Sequence, residues 1–326
     1  MTTPERFVSS GSLPAPDRVQ QVLDETYALF RHEHGGALSR VYPALAEADP
    51  DAFGLAVVSV TGERAVAGDA HTPFTVMSVS KPFVFALIGE AVGVAEVRRR
   101  VGVNATGLAF NSAYAVERDP AGRTNPMVNA GAIATTALWP GPDLEARWES
   151  LLAGLSRFAG HALVLDAVIL ESARATNHRN RALANLLTSQ GALVGDPGDA
   201  VELYTRQSCL QVTAVDLAVM GATLADGGTN PVTGEHVVDP ETAHATLAVM
   251  AVAGMYETSG DWLFDVGMPG KSGIGGGIVT VSPGKGALGT FSPLIDPTGN
   301  SVRGELAARH LTRRLGLDLL ASSVVP

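Results

Sequence analysis

The chain has 326 residues, with 23 Lys and Arg against 33 Asp and Glu; the net charge of −10 excludes a binder of phosphate backbones or anionic membranes as the default reading. With 46% hydrophobic and 17% charged residues it can bury a large core, and its length suits two lobes or one large domain with an inserted part. A lone cysteine, Cys209, excludes an intrachain disulfide and a Cys-based zinc site, and suits a reducing compartment.

The stretch from Met1 to Ala15 carries Glu5 and Arg6 among Ser and Pro, and does not read as a secretory signal. From 16 to 31, Val19, Val22, Leu23, Tyr27 and Phe30 recur at helical spacing and predict an amphipathic helix. Residues 53–60, a turn at 61–64 and the run 65–68 predict a hairpin. The segment after Ser78, apolar on all sides, predicts a buried helix beginning near that serine. Helical patterns follow at 129–138, 144–158, 162–173, 179–189, 197–204, 214–225 and 240–253, separated by loops rich in Gly, Pro and Asn. Residues 259–265 read as a strand. Two further strands, 277–281 and 286–291, flank the turn 282–285, and a helix over 303–315 closes the pattern. The order predicts an α/β lobe from 1–77 and 254–326, sharing one mixed antiparallel sheet flanked by helices, with a mainly helical lobe from 78–253. The longest charge-free apolar stretches, such as 127–139, are too short for a membrane span and contain Asn, Thr and Gly, so a soluble cytoplasmic protein is expected.

Twenty Arg stand against three Lys, at Lys81, Lys271 and Lys285. Arg keeps its proton at working pH, whereas a buried Lys can act as a base, so each remaining lysine invites attention. Ser78-Val79-Ser80-Lys81 is an S-x-x-K motif at the predicted helix start, where residues three apart share a face and Lys81 Nζ can reach the Ser78 hydroxyl. Lys271-Ser272-Gly273 is a K-[ST]-G triplet leading into a predicted strand, and the pair is that of serine acyl-transfer enzymes of the penicillin-binding and β-lactamase type. The S-x-N or Y-x-N element expected between such motifs is absent. Gly270-Lys271-Ser272 is no phosphate loop, since Asp265 stands where its first Gly belongs, and His32-Glu33-His34 lacks a second ligand cluster; neither a metal nor a cofactor is expected.

Together with these motifs, Gly107-Leu-Ala-Phe-Asn111, Asn125-Pro-Met-Val-Asn-Ala-Gly-Ala-Ile133, His178-Arg-Asn-Arg-Ala182, Leu203-Tyr-Thr-Arg-Gln207, Gly254-Met-Tyr256 and Gly267-Met-Pro-Gly-Lys-Ser-Gly-Ile-Gly-Gly-Gly277 resemble the serine-dependent glutaminase family, in order from about Tyr42 to Gly304. The resemblance implies a serine β-lactamase-like fold, cofactor-free hydrolysis of L-glutamine to L-glutamate and ammonia, and a homodimer or homotetramer. It also implies Ser78 as nucleophile, Lys81 as its neighbouring base, and Asn129, Asn180, Tyr204 and Tyr256 as substrate-pocket residues, with the Ile274 backbone N–H facing the substrate carbonyl. Lys81, Lys271 and the Tyr204 hydroxyl are the candidates to move protons.

Two positions depart from the family's pattern. Ala173 stands where the family has a glutamate that helps hold the α-ammonium of glutamine, and Met77 stands where it usually has Gln. An amide hydrolase of altered substrate choice, and a non-catalytic amino-acid-binding protein, are therefore the alternatives to a glutaminase.

Overall fold

The computed structural model describes residues 11–322. Residues 1–10, most of the stretch read as lacking a secretory signal, and 323–326 lie outside the described residues. In chain order the elements are α1 (Pro16–Phe30), β1 (Ala37–Leu38), the hairpin β2 (Gly54–Ser59) and β3 (Arg64–Gly68), β4 (Phe74–Thr75), a 3-10 turn (Met77–Val79) running into α2 (Ser80–Val92), α3 (Val94–Val101) and α4 (Tyr114–Arg118). The middle of the chain supplies α5 (Asn129–Ala137), α6 (Leu144–Ala159), β5 (Val164–Leu165), α7 (Ala167–Thr176), α8 (His178–Ser189), α9 (Pro197–Ser208), β6 (Leu210–Val212), α10 (Ala214–Ala225) and α11 (Pro240–Ala253). After it come α12 (Ser259–Val266), β7 (Gly270–Ser272), β8 (Gly277–Ser282), β9 (Gly286–Phe291), β10 (Leu294–Ile295) and α13 (Val302–Leu315).

The central sheet has the order β3-β2-β9-β8-β7, every pairing antiparallel. It is assembled from both ends of the sequence: β2 pairs with β9 in a register that sets Val57 opposite Leu288. Both faces are buried, which is why β2 is apolar from Gly54 to Val58. Leu55 and Val57 join a core with Val22 and Leu23 of α1, Trp262 of α12 and Ala307 and Leu311 of α13. Ala56 and Val58, on the opposite face, join the large core that includes α10 and the helices beyond it.

Helix α10 is buried on every side because it lies between the sheet and the remaining helices. The approach is close enough to need glycine on both partners. A Cβ on Gly289 would lie 2.0 Å from the Ala214 carbonyl oxygen, and one on Gly221 would lie 2.7 Å from the Ala287 Cβ.

Three expectations are corrected. Residues 259–265 form helix α12, not a strand: Ser259, Trp262 and Val266 are its buried positions, at helical spacing, and Gly267 ends it in the left-handed conformation at φ 72°. The helix read over 162–173 begins at Ala167, where Asp166 caps it by accepting from the Ile169 N–H, because Val164–Leu165 pairs with β6 instead. The helix read as starting near Ser78 begins at Ser80, and Ser78 belongs to the preceding 3-10 turn. A three-stranded sheet, β4-β6-β5, borders this turn within the otherwise helical middle of the chain.

Among the described residues no single helix is long and apolar enough to cross a membrane; residues 77–92 and 94–101 pass by length and composition only together, and are bent by 115°.

Candidate active site

Ser78 lies where a two-residue strand gives way to a helix, on a turn forced by its neighbours. Met77 has φ 47°, and the only other non-glycine residue with positive φ among the described residues, Tyr256 at 56°, belongs to the same site. Such backbone is strained for a side chain of this size and persists only where packing over-determines it. The loop after β7 supplies that packing. A Cβ on Gly273 would lie 2.9 Å from the Val76 carbonyl oxygen and 3.2 Å from the Ser78 nitrogen, and one on Gly275 would lie 2.4 Å from the Thr75 carbonyl oxygen. Glycine at both positions lets the loop carrying Ile274 rest directly on the backbone around Ser78. Neither the Ser78 nor the Ile274 N–H donates to an acceptor among the described residues.

Two lysines converge here from different elements. Lys81, on α2, is 2% exposed and donates from Nζ to the Met127 carbonyl at 3.1 Å and to Asn129 Oδ1 at 2.8 Å. Burial lowers its pKa to about 7. Lys271, on β7 at the sheet edge, is fully buried, donates to the Ser272 carbonyl at 2.6 Å, and stands 4.1 Å from the centre of the Tyr256 ring. Burial, and then the charge of Lys81, hold it well below the usual lysine range. No carboxylate pairs with either lysine among the described residues. The direct hydrogen bond expected from Lys81 Nζ to the Ser78 hydroxyl is not formed; both N–H bonds of an uncharged amine are taken by Met127 and Asn129.

The tyrosines are proton-holding groups. Tyr256 donates to the Ser272 carbonyl at 3.0 Å, and burial raises its pKa while the adjacent Ser78 hydroxyl partly offsets that. Tyr204, on α9, donates to Asn129 Oδ1 at 3.2 Å and is raised well above the usual phenol range, chiefly by burial.

A cavity opens beside these groups, lined by Ser78, Asn129, Asn180, Tyr204 and Ile274 of the residues read from the sequence; Lys81 reaches the lining through Asn129, Tyr256 packs on the lining residue Phe110, and Lys271 lies against Tyr256. All eight sequence-read residues therefore meet at one place. Met77, read as a departure from the family's pattern, also lines the cavity, and sequence reasoning did not single out the rest of the lining, Val41, Tyr42, Phe110, Asn111, Thr176, Asn177, Arg179 and Ser208. Phe110, Asn111 and Arg179 fall inside the quoted family blocks, so a signal existed for them. Among the described residues no Asp or Glu lines the cavity, and Arg179 is its only charged side chain. Ala173 is fully buried behind it, in an apolar cluster with Met77, Tyr42, Ile169, Leu170 and Cys209. The two departures from the family's pattern thus share one cluster.

The sequence matches the family model described as Glutaminase over residues 36–320. It is 56% identical to Glutaminase 2 of Yersinia pestis, across 97% of this chain and 93% of that protein. Among solved structures, a probable glutaminase, ybaS, superimposes with a TM-score of 0.93 at 39% identity, covering 95% of this chain and 100% of that one. Mglu in its glutamate form superimposes with a TM-score of 0.88 at 40% identity, covering 95% of this chain and 71% of that one.

Proposed function

The chain belongs to the glutaminase family and hydrolyses L-glutamine to L-glutamate and ammonia, and we propose that it does so through a γ-glutamyl ester on Ser78. The observation that carries this reading is a serine on a strained turn beside two buried lysines that no carboxylate among the described residues neutralises. A desolvated amine near pH 7 is a competent base, where an exposed lysine would stay protonated. Ser78 Oγ attacks the side-chain amide carbon as its proton passes to the Lys81 lone pair, and the carbonyl oxygen becomes an oxyanion facing the free Ser78 and Ile274 N–H groups. Losing one such donor typically costs ~10²–10³ in rate. The C–N bond breaks as the nitrogen takes a proton and leaves as ammonia; water then cleaves the ester, releasing glutamate. Tyr204, held protonated, fits a donor better than a base, and with Lys271 and Lys81 completes the set of proton carriers. Ammonia release from L-glutamine that vanishes in Ser78→Ala supports this route; turnover surviving in that variant overturns it.

The acid-free lining favours a second reading, that the site selects weakly for a free α-ammonium. The carboxylates near the Ala173 cluster are committed elsewhere: Glu202 pairs with Arg174 and Arg206, and Asp166 caps α7. N-acetyl-L-glutamine should then be turned over with kcat/KM within about tenfold of that for L-glutamine, a gap of ~1.4 kcal/mol. The double variant Met77→Gln/Ala173→Glu should widen that gap, whereas a strong wild-type preference for the free amino acid would dismiss this reading. L-Asparagine in the same assay separates glutaminase from broader amidase activity.

A cytoplasmic homodimer or homotetramer is also proposed. It is supported by the resemblance and by Cys209, buried as a free thiol. Light scattering on the purified chain tests the assembly.

A further inference from the structure

The Asn129 side chain hydrogen-bonds to both Lys81 and Tyr204, and an amide can face them with either end. Which end it presents decides what Lys81 can do. As an uncharged amine Lys81 has two N–H bonds and one lone pair. With the Met127 carbonyl and Asn129 Oδ1 as acceptors both N–H bonds are used, and the lone pair is left for the Ser78 proton. Were Asn129 reversed, its NH₂ would donate onto that lone pair and occupy the base.

The structure shows a chain of hydrogen bonds that fixes this choice from a distance. On α9 the Thr205 hydroxyl donates to the Val201 carbonyl at 2.6 Å, one turn back, so its oxygen is left to accept. It accepts from Asn177 Nδ2 at 2.7 Å. That turns Asn177 Oδ1 toward Asn180, whose Nδ2 donates to it at 2.6 Å. Asn180 Oδ1 then accepts from Asn129 Nδ2 at 3.0 Å, leaving Asn129 Oδ1 for Lys81 and Tyr204. Every link runs in the same direction, from Lys81 to a main-chain carbonyl that cannot be inverted. Thr205, Asn177 and Asn180 are all buried, so no bulk solvent competes for the links from Asn180 to the Val201 carbonyl.

We propose that Thr205 and Asn177 are positioning residues of the hydrolysis: acting through Asn180, they lock Asn129 with its oxygen toward Lys81 and so keep the Lys81 lone pair free for the Ser78 proton. The inference rests on Lys81 serving as the base of Ser78. Thr205 does not line the cavity, so its effect is separable from substrate contact. Among the described residues the titratable groups around Lys81 are Lys271 from β7 and Tyr204 from α9, with Tyr256, from the turn before α12, against Lys271; the substitutions remove none of them.

The test is the pH profile of kcat for L-glutamine in wild type, Thr205→Val and Thr205→Ser. Thr205→Val keeps the shape and deletes the hydroxyl, freeing the amides to reverse. The plateau should fall by about tenfold or more. Its acid limb should move to lower pH by about half a unit or more, because a reversed Asn129 stabilises the uncharged amine and withdraws an acceptor from the charged one. Thr205→Ser restores both. A purely structural role would lower the plateau in proportion to the folded fraction and leave the limb in place, and that result, or a Thr205→Val enzyme equal to wild type, overturns the proposal. Should Thr205→Val fail to fold, Asn177→Leu breaks the chain one link nearer and is read by the same two changes. Wild-type turnover that survives in Ser78→Ala defeats the underlying acyl-enzyme reading instead, and is distinguished by that control.

Discussion

Lys81 carries the most exposed prediction at the scale of a single residue. Its amine loses its charge near pH 7 because burial penalises the ammonium and no carboxylate among the described residues offsets the penalty. The profile of kcat/KM should therefore show an acid limb close to pH 7, with activity lost as the lysine protonates. Lys81→Arg, which carries a group that stays charged, should lose activity by ~10²-fold or more at every pH. A wild-type profile flat down to pH 5.5 would remove Lys81 as the base. The lysines were legible in the sequence for a simple reason: a chain that uses Arg for its surface leaves few lysines, and two of the three fall in paired motifs. The amide chain from Asn177 to Thr205 was not legible. Side-chain amides and hydroxyls carry no directional signal until the fold sets α5, α8 and α9 against one another.

Helices with clear caps or strong patterns were read closely at the scale of elements, as with α10 and α11, whose bounds agree with the expectation. The misreadings share a cause. Residues 259–265 were read as a strand, while the helical spacing of the buried Ser259, Trp262 and Val266 decided the outcome. The short strands β4, β5 and β6 have only two or three residues each, too few for any period to show. The close seat of α10 on the sheet was equally invisible, because glycine advertises flexibility in sequence and only the structure shows it serving proximity. Gly289→Ala should force α10 from β9 and cost more than ~2 kcal/mol, read as a lower urea midpoint with an unchanged slope. A substitution costing under ~0.5 kcal/mol would mean that the helix shifts without loss.

The site exists at the scale of the molecule only because both ends of the chain complete one sheet: β2 and β3 come from before the helical middle, β7, β8 and β9 from after it, and Lys271 is thereby brought to Lys81. The same assembly buries ionisable groups of opposite tendency, and their sum fixes how stability varies with pH. Lys81 and Lys271 bind protons less readily when folded than when unfolded, so the unfolded chain holds more protons above about pH 7, and stability rises with pH there. Cys209, pushed up to about 12 by burial, and the buried hydroxyls of Tyr42, Tyr204 and Tyr256 act the other way. They ionise first in the unfolded chain, the thiol at about 9 and the phenols at about 10, so they slow the rise at the first value and oppose it fully only at the second. Urea midpoints taken from pH 6 to 10 should thus climb from about pH 7 and level off only as the phenols begin to ionise in the unfolded chain, at about 10. Lys81→Met should flatten the rising side, so that wild type gains on the variant as pH increases through this range. A wild-type midpoint that declines steadily from pH 6 would show that the lysines are not desolvated in the folded protein, and the case for a buried base would fall with them.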